Sequence, residues 1–595
     1  MILQELLLRN PDEEGLYFRK QGNIKIEKDK LFFEKNTELL TNTYYNSFSV
    51  GKWYRYCDVE NITLQICYQG KFRLIIYYAY LEENKLEEII IKETTIESSS
   101  KQMESFMLLK KQEGTVYYRL IALEDDSVIY NAFFDGEVTC EKDIVIALNI
   151  CTYKREKYLL KNIKLLQDEF LNNADSPLYG HLKVFITDNG STLEKINDEN
   201  IFVFENPNLG GAGGFARGLV EIKERKESFG ITNAIFMDDD VEIEPEGILR
   251  TYRMLKILKG AYSKSFIGGA MLRLDMKYVQ HENGALWNAG RCIFVNRGLD
   301  LRDFKNVVYN ELEQDRDYAA WWYCCIPASM IDSNNLPLPI FIHQDDTEFS
   351  LRNAEHIITM NGIAIWHLAD EHTRLSTNEY YNLRNMIIVN SKYCKEFGIR
   401  EIKREVFSRM LVALLRYRYD DMKLIYKAVD DFCHGPKFLL ESNATKLHDE
   451  LRELGYSFED VSESVKDMNE GDKGAIIVNP FIEKEKRWTL KKVLKLIFIL
   501  FTANGWILPA KDTEYHHMDV HPAKLFRTGK IVLHNGTGKG IYVKRALRQV
   551  FAFVRLYIKA RVKLYREYEQ AKSKYCAEWK NLCELQSWMK YSDMK

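Results

Sequence analysis

Strand-forming stretches separated by turns fill the first part of the chain. TLQICYQGKFRLIIYYAYL is broken by a Gly-containing turn, and TVYYRLIAL follows after further turn residues. Short strands at turn-separated intervals are typical of antiparallel sandwiches and barrels. The pattern predicts an N-terminal β-sandwich or barrel domain over residues 1–140.

The pattern changes near residue 143. DIVIALNIC is a continuous apolar run, which is typical of a strand buried on both faces, and KREKYLLKNIKLLQDEFL has apolar residues at helical spacing. HLKVFITDNG, NIFVFEN and NAIFMDDD then predict further strands, with a helix between the last two. Strands that alternate with helices indicate an α/β core with a mostly parallel, Rossmann-like sheet, which we assign to residues 141–390.

The pattern is helical after about residue 380, which predicts a C-terminal helical region over residues 391–595. Its segment from Lys544 to Lys574 is basic and amphipathic. Such a helix either contacts an anionic membrane surface or packs on its own protein with a solvated basic face. Its apolar positions are Leu547, Val550, Phe551, Val554, Ile558, Val562 and Tyr565.

Composition narrows the class of protein. The chain has 595 residues, of which 46% are hydrophobic and 28% charged, as in ordinary multidomain globular proteins. A net charge of −3 does not indicate a protein that binds nucleic acid. The 11 cysteines are odd in number and form no CxxC pair, and the N-terminus lacks signal-peptide features. We therefore expect reduced thiols and a cytoplasmic location.

Polar motifs end the predicted parallel strands: TDNG, ENPNLGG and MDDD. Ligands of such sheets bind beyond the carboxyl ends of the strands, so the three motifs should converge on one crevice. The Gly-rich turn contains G-x-G-x-x-A at Gly211, Gly213 and Ala216, a weak match to the dinucleotide fingerprint. A triple aspartate after the next strand favours a nucleotide diphosphate bound through a divalent metal instead.

Two acidic clusters carry the candidate chemistry. Asp238 and Asp240 have the D-x-D spacing that lets two carboxylates share one Mg²⁺ or Mn²⁺, with Asp239 pointing away; the alternative is an aspartate-capped loop. The pair Asp345 and Asp346 either caps the helix TEFSLR or faces the site, and both roles are compatible. Three further residues have two interpretations each: His367 is a metal ligand or a core histidine, and Trp321 and Trp322 are core residues or a sugar-stacking shelf.

The order TYKR, TDNG, NLGGAGGFARG, FMDDD, WWYCCIP, LPLPIFIHQDDTEFSLR and WHLAD resembles the GT-A glycosyltransferases of family 2. It is especially similar to the polymerising galactofuranosyltransferases of the mycobacterial cell wall, over residues 40–400 and weakly beyond. The resemblance implies an N-terminal β-sandwich or barrel, a GT-A core and a C-terminal helical region that meets the membrane. One departure is that Ala285 stands where the polymerising enzymes carry a glutamate, which leaves the acceptor and polymerisation open.

The resemblance also implies roles for single residues. Asp238, Asp240 and His367 would bind the metal, and Asp346 would be the catalytic base, with Asp345 beside it. The acceptor side would include Trp321, Trp322 and His281. The donor side would include Thr152, Arg155, Asp188, Asn189, Asn208, Gly210, Gly211 and Asp239.

These inferences predict a metal-dependent inverting glycosyltransferase that uses Mn²⁺ or Mg²⁺. We expect it to move galactofuranose from UDP-galactofuranose to a glycan or lipid-linked glycan acceptor in cell-surface polysaccharide synthesis. The alternatives are a transferase for another nucleotide sugar, such as rhamnose or galactopyranose, and a non-catalytic carbohydrate-binding protein. Expected partners are the UDP-sugar, the acceptor, an anionic membrane surface and a second copy of the chain. The expected location is peripheral, on the inner face of the cell membrane.

Overall fold

The computed structural model describes residues 1–9, 15–27, 30–369, 376–461, 477–481, 498, 501–511, 513–535 and 538–592. Its N-terminal region consists of nine strands and one helix in this described part. They are β1 (Ile2–Glu5), β2 (Arg19–Gln21), β3 (Ile24–Glu27), β4 (Lys30–Phe33), β5 (Glu38–Leu40), α1 (Val50–Tyr56), β6 (Ile62–Glu82), β7 (Lys85–Met107), β8 (Thr115–Ala122) and β9 (Ser127–Gly136).

All nine N-terminal strands join one antiparallel sheet in which β6 is central. Its first part pairs with β9, its second part pairs with β8, and β7 runs along it as well. Arg9 and Tyr17 of this region both reach Glu244 in the central region, at 2.5 Å and 2.6 Å. Because Glu244 follows Asp240 by four residues, the N-terminal sheet supports the chain next to the triple aspartate.

The central region carries the predicted α/β core. Its elements are β10 (Ile146–Thr152), α2 (Glu156–Leu166), β11 (Leu182–Asp188), β12 (Ile201–Glu205), α3 (Gly210–Phe229), β13 (Asn233–Asp238), β14 (Glu242–Ile243), α4 (Pro245–Lys256), β15 (Phe266–Gly268), β16 (Ala270–Arg273), β17 (Gln280–Glu282), β18 (Ala285–Asn288), β19 (Arg291–Phe294), α5 (Phe304–Asn310), β20 (Tyr323–Pro327), α6 (Asp345–Asn353), β21 (Ile357–Ile358) and β22 (Ala364–His367).

A seven-stranded sheet of order β12-β11-β10-β13-β20-β15-β21 forms this core. Strands β12, β11, β10 and β13 are parallel, which gives the Rossmann-like arrangement that the apolar runs predict. Both faces are buried: Ile146 and Leu148 of β10 join a core cluster with α2, α4 and the N-terminal sheet, whereas Ala147 joins one with α3 and the C-terminal helices. This double burial explains why DIVIALNIC is continuously apolar.

The described part of the C-terminal region is mostly helical, but it also contains a four-stranded sheet of order β23-β26-β25-β24 that the helical pattern did not predict. Residues 462–476 and 482–497 of the predicted helical region lie outside the described residues. Among the described helices, none is both long enough and apolar enough to cross a membrane. The elements are α7 (Asn378–Tyr393), α8 (Ile399–Leu415), α9 (Tyr419–Cys433), α10 (Pro436–Glu441), α11 (Ala444–Leu454), β23 (Glu459–Asp460), β24 (Glu514–His517), β25 (Lys530–His534), β26 (Lys539–Lys544), α12 (Arg548–Leu582) and α13 (Leu585–Ser592).

Candidate active site

The candidate site lies where the order of the parallel strands reverses. Strands β11 and β12 lie on one side of β10 and β13 lies on the other, so a crevice opens between the carboxyl ends of β10 and β13. Thr152 ends β10, Asp188 ends β11 and Asp238 ends β13. Strand ends therefore bring these three predicted residues to one edge of the sheet.

Strand pairing brings His367 to the triple aspartate. The short strand β14 follows Asp240 directly and pairs with β22, with Glu242 opposite Trp366. His367 is the next residue of β22, and its Nε2 lies 3.1 Å from Oδ1 of Asp240. Two residues separated by 127 positions in the sequence are thus in direct contact, as the resemblance implies.

Arg155 and Thr152 organise the other side of the aspartates. The Arg155 Nη1 lies 2.7 Å from Oδ2 of Asp240 and 3.3 Å from Oδ1 of Asp239. The Thr152 hydroxyl donates to Oδ2 of Asp239 at 2.6 Å. Asp239 therefore points into the structure, and its contacts indicate that it positions Arg155.

Burial and neighbouring charges shift the pKa values of the aspartates apart. Burial, together with the charges of Asp240 and Asp239, raises the pKa of Asp238 to about 7 against the opposing charges of His367 and Arg155. Burial also raises the pKa of Asp239. The pKa of Asp240 is lowered, because the hydrogen bond and charge of His367 and the charge of Arg155 outweigh burial. Asp238 is thus the carboxylate whose negative charge is least compensated.

The residues present fit a hard divalent cation. Two carboxylates and an imidazole are suitable ligands, and the buried charge of Asp238 is what a cation would neutralise. In this structure the candidate ligand atoms of Asp238, Asp240 and His367 do not all lie within 4.8 Å of one another. Within the described residues, the set whose ligand atoms all lie within 4.8 Å of one another is Asp430, Asp431 and His434.

The group of Asp430, Asp431 and His434 does not indicate a metal site, because lysine side chains already balance the charges of its carboxylates. Lys563 lies 3.1 Å from Asp430, and Lys427 lies 2.9 Å from Asp431. The Tyr380 hydroxyl also donates to Asp431 at 2.6 Å. These contacts explain the cluster as part of the packing of α9 against α7 and α12.

The predicted donor residues shape the loops of the crevice. Asn189 donates to the carbonyl of Gly210 at 2.9 Å, and the side chain of Asn208 accepts from the Gly210 amide at 3.2 Å. A Cβ added to Gly211 would lie 3.8 Å from Asp345, so this glycine lies beside the second acidic pair. The carboxylate of Asp188 accepts three backbone amides of its own loop, at 2.7–2.8 Å, which indicates a structural role.

Glycines within α3 serve helix packing rather than phosphate binding. A Cβ at Gly214 would lie 2.0 Å from Sγ of Cys151, and a Cβ at Gly218 would lie 1.9 Å from Oδ1 of Asn149. Both partners are in β10, so the helix can approach the strand only without side chains here. Neither glycine is one of the fixed positions of the G-x-G-x-x-A match, which are Gly211, Gly213 and Ala216.

The second acidic pair begins α6. Asp346 accepts the Thr347 amide at 2.6 Å, and the buried side chain of Tyr318 lies close enough to lower the pKa of Asp346. Burial raises the pKa of Asp346 to about 6 despite these hydrogen bonds. Burial and the charge of Asp346 raise the pKa of Asp345 well above its usual value. Because Asp346 ionises the more readily of the two, it is the better candidate for a base.

The loop before Asp345 and Asp346 has a strained backbone. Phe341, His343 and Gln344 have φ values of 76°, 64° and 70°, which non-glycine residues rarely adopt. The fully buried Asn385 of α7 donates to the carbonyls of Ile340, Ile342 and His343 at 3.1, 2.7 and 3.0 Å. Strain of this kind persists only where surrounding contacts impose it.

The two tryptophans have different environments. Trp321 is 3% exposed and stacks on Phe236 at 4.3 Å, with Phe349 at its edge, so it is a core residue and its assignment to acceptor binding is not supported. Trp322 is partly exposed and donates to the carbonyl of Gly269 at 3.1 Å. His281 is buried in β17, at the edge of the small sheet that holds His367.

Several residues of the site have no sequence signal. Tyr318 and Asn385 contact the base and its loop, and Asn162 donates to the carbonyls of Asp239 and Val241 at 3.2 Å and 2.9 Å. Each acts on a residue distant in sequence, so no local motif reveals it. The aromatic richness of DYAAWW was the one available indication for Tyr318.

Comparison with known proteins agrees with this geometry. Residues 148–288 match the family model for glycosyl transferase family 2, and residues 13–136 match that for the galactofuranosyltransferase 2 N-terminal region. These matches show that the chain is a glycosyltransferase with a Rossmann-like α/β core, and that residues 148–288 of this core resemble the family 2 domain.

The curated relatives of the chain are galactofuranosyltransferases. The chain is 23% identical to galactofuranosyltransferase GlfT2 of Mycolicibacterium smegmatis, over 93% of this chain and 88% of the relative. It is 26% identical to galactofuranosyltransferase GlfT2 of Mycobacterium tuberculosis, over 69% of this chain and 68% of the relative. A solved xylanase 10B structure from Clostridium thermocellum aligns with a TM-score of only 0.17 at 7% identity, over 31% of this chain and 37% of that chain.

Proposed function

We propose that the chain is a metal-dependent, inverting galactofuranosyltransferase that transfers galactofuranose from UDP-galactofuranose to a glycan or lipid-linked glycan. The observation that carries the proposal is the convergence of Asp238–Asp240, Asp345 and Asp346 on one crevice at the strand ends. The names of the two relatives support the choice of galactofuranose. Surface polysaccharide synthesis on the inner face of the membrane would be the setting.

The donor side would bind the pyrophosphate. Asp238, Asp240 and His367 would hold Mn²⁺ or Mg²⁺, which when bound neutralises charge on the departing diphosphate. Arg155 pairs with carboxylates in a geometry that suits phosphate oxygens equally well, so we assign it to the donor. Thr152 and Asp239 would keep Arg155 oriented toward the crevice.

Asp346 would act as the general base. It takes the proton of the acceptor hydroxyl as that oxygen bonds to the anomeric carbon of the donor sugar. The bond from this carbon to the diphosphate oxygen breaks, and UDP leaves with the electron pair. One displacement from the opposite face inverts the anomeric carbon, and the positioned base contributes roughly 10²–10⁴-fold to the rate.

The test separates donor binding from turnover. Asp346→Asn should retain metal-dependent UDP binding, measured by calorimetry, and lose transfer by about 10²-fold or more. Asp238→Asn should lose the metal-dependent part of UDP binding. Asp430→Asn is the matched control, because it alters the other carboxylate–histidine group. Normal metal-dependent UDP binding by Asp238→Asn would contradict the assignment, as would its loss in Asp430→Asn.

The donor sugar needs a separate experiment. Purified enzyme with Mn²⁺ and a panel of UDP-galactofuranose, UDP-galactopyranose and an activated rhamnose should release nucleotide fastest from UDP-galactofuranose. Chelation of the metal should abolish the release, and renewed Mn²⁺ should restore it. Preference for another donor would retain the glycosyltransferase and overturn the galactofuranose assignment.

We also infer that α12 holds the enzyme on an anionic lipid surface. Its exposed apolar stripe comprises Leu547, Phe551, Val554, Ile558, Val562 and Tyr565, whereas Val550 packs against the core. Exposed basic side chains flank the stripe: Arg548, Arg555, Lys559, Arg561 and Arg566. An apolar stripe between cations suits a bilayer interface with anionic headgroups.

Vesicle sedimentation tests this surface. Wild-type protein should bind vesicles that contain phosphatidylglycerol and bind vesicles of phosphatidylcholine alone more weakly, with the difference reduced by salt. The double variant Phe551→Ser and Ile558→Ser should lose binding to both. Equal vesicle binding by wild type and variant would contradict the inference, as would a change in oligomeric state as the sole effect of the variant.

A further inference from the structure

A β-hairpin lies beside the proposed base. Strands β18 and β19 are joined by Ala289 and Gly290, whose φ values of 47° and 76° are typical of a type I′ turn. In the pairing register, Ala285 is opposite Phe294 and Trp287 is opposite Cys292. Directly opposed residues share a face, so these four form one face of the hairpin, here called the inner face.

The inner face is turned toward Asp346. Ala285 is bridged to Tyr318 through two backbone hydrogen bonds of 3.2 Å, and the side chain of Tyr318 lies near enough to Asp346 to lower its pKa. The Cys292 thiol is close to the side chain of Thr347 and to Asp346: burial and the Asp346 charge raise its pKa to about 12. A residue that shares a face with Cys292 therefore faces the side of the crevice where the acceptor hydroxyl must lose its proton.

Trp287 has an unused donor. Its side chain is partly exposed, but its Nε1–H is buried and has no partner among the residues that the structure describes. Among the described residues the indole N–H groups of Trp53, Trp321 and Trp506 are also buried without an acceptor, but those side chains are buried in the core, whereas the side chain of Trp287 is partly exposed and can meet a ligand. An indole can stack on the face of a sugar and donate to one of its hydroxyls.

The hairpin is fixed from behind. Asn390 of α7 donates to the carbonyl of Gly290 at 3.0 Å, and Arg291 pairs with Glu405 of α8. The Trp287 amide donates to Asp317 at 2.8 Å. These contacts fix the turn of the hairpin and the backbone of Trp287, and a recognition element requires such a rigid support. Ile293 lies on the opposite, outer face and is 50% exposed.

We propose that Trp287 is an acceptor-recognition residue, whose ring stacks on a sugar of the acceptor and whose Nε1–H donates to a hydroxyl of that sugar. The proposal rests on the proposed function, because Asp346 defines where the acceptor must be. It assigns acceptor binding to a residue 34 positions before Trp321, in the strand that begins at Ala285.

The test uses Trp287→Phe, which keeps a ring and removes the donor, and Trp287→Ala, which removes both. With purified full-length enzyme, Mn²⁺, UDP-galactofuranose and a synthetic galactofuranosyl acceptor, Trp287→Phe should raise the acceptor KM about tenfold, and Trp287→Ala should lower kcat/KM for the acceptor about 100-fold. The donor KM and the hydrolysis of UDP-galactofuranose by water should stay within twofold. Ile293→Ala, the control on the outer face, should match wild type, and thermal unfolding should confirm that all variants fold.

The outcomes are distinguishable. An acceptor KM of Trp287→Phe within twofold of wild type would overturn the inference, as would an equal rise in Ile293→Ala. In both cases normal hydrolysis of UDP-galactofuranose by wild type would leave the proposed function intact. If wild-type enzyme neither transfers nor hydrolyses the donor sugar, the proposed function fails, and the inference fails with it.

Discussion

Tyr318→Phe should change the pH dependence of the enzyme more than its maximal rate. In the wild type, Asp346 must be ionised to act as a base, and burial raises its pKa to about 6 while the hydrogen bonds of Thr347 and Tyr318 lower it. Transfer should therefore fall as the pH drops through about 6. Loss of the Tyr318 donor removes one of the contacts that favour the carboxylate, so the pKa of Asp346 should rise further.

The magnitude follows from the hydrogen bond. A bond to a charged group is worth about 1.5–3 kcal/mol, and one pKa unit corresponds to about 1.36 kcal/mol. The acid limb of the rate profile should therefore move up by about 1–2 pH units. Because the ring stays and Thr347 still donates, most of the maximal rate should return at high pH.

The assay is kcat/KM for the acceptor between pH 5 and 9 at saturating donor and fixed ionic strength. Tyr393→Phe is the matched control for the acid limb, because the Tyr393 hydroxyl donates to Glu348, at 3.1 Å, on the same helix, and its loss should leave the acid limb in place whatever it does to the rate. An unmoved acid limb in Tyr318→Phe would refute the reasoning. So would a loss of activity that is equal at every pH, since it would indicate a purely structural role.

Three further variants test how the site is held. Asn385→Asp replaces a side chain that donates to three carbonyls with one that cannot donate, and should lower kcat about 100-fold by displacing Asp346, with UDP binding retained in calorimetry. Gly214→Ala places a methyl group against β10 and should cost about 1–3 kcal/mol in the free energy of unfolding, whereas Gly260→Ala, with open space around its Cα, should be neutral in the same denaturation experiment. Trp579→Phe removes a donor to Glu348 and should lower kcat without changing the donor KM; an unchanged kcat would contradict a role for α12 in holding α6.

The sequence was most informative where local pattern determines position. A buried parallel strand requires apolar residues on both faces, so the apolar runs predicted where β11 and β13 end, and with them the positions of Asp188 and Asp238. Thr152, at the end of β10, came from the family resemblance. The contact of His367 with Asp240 came from the family resemblance, because it depends on the pairing of β14 with β22.

What could not be predicted depends on long-range packing. Nothing in WWYCCIP distinguishes Trp321, which stacks on Phe236, from Trp322, which reaches the surface of the core. The positive φ values of Phe341, His343 and Gln344 are imposed by Asn385, some 40 residues away. Such residues have no local propensity for their conformation, so the sequence gives no warning of it.

The C-terminal region contributes contacts rather than chemistry to the proposed site. Its helix α7 holds the loop of the base through Asn385, and it holds the acceptor-side hairpin through Asn390. Thr445 of α11 donates to the carbonyl of Asn208 in the donor turn at 3.0 Å. A chain that ended after β22 would keep the proposed base and metal ligands and lose each of these supports.

The helix α12 connects this scaffold with the proposed lipid surface. Trp579, on its buried face, donates at 3.1 Å to Glu348 of α6, the helix that begins with Asp345 and Asp346. The exposed stripe around Phe551 lies on the same continuous helix. A bilayer that binds this stripe would therefore act on an element in direct contact with the helix of the base. On this reasoning, anionic vesicles should raise kcat for a soluble acceptor in the wild type, and they should fail to do so in Trp579→Phe even though the variant still binds the vesicles.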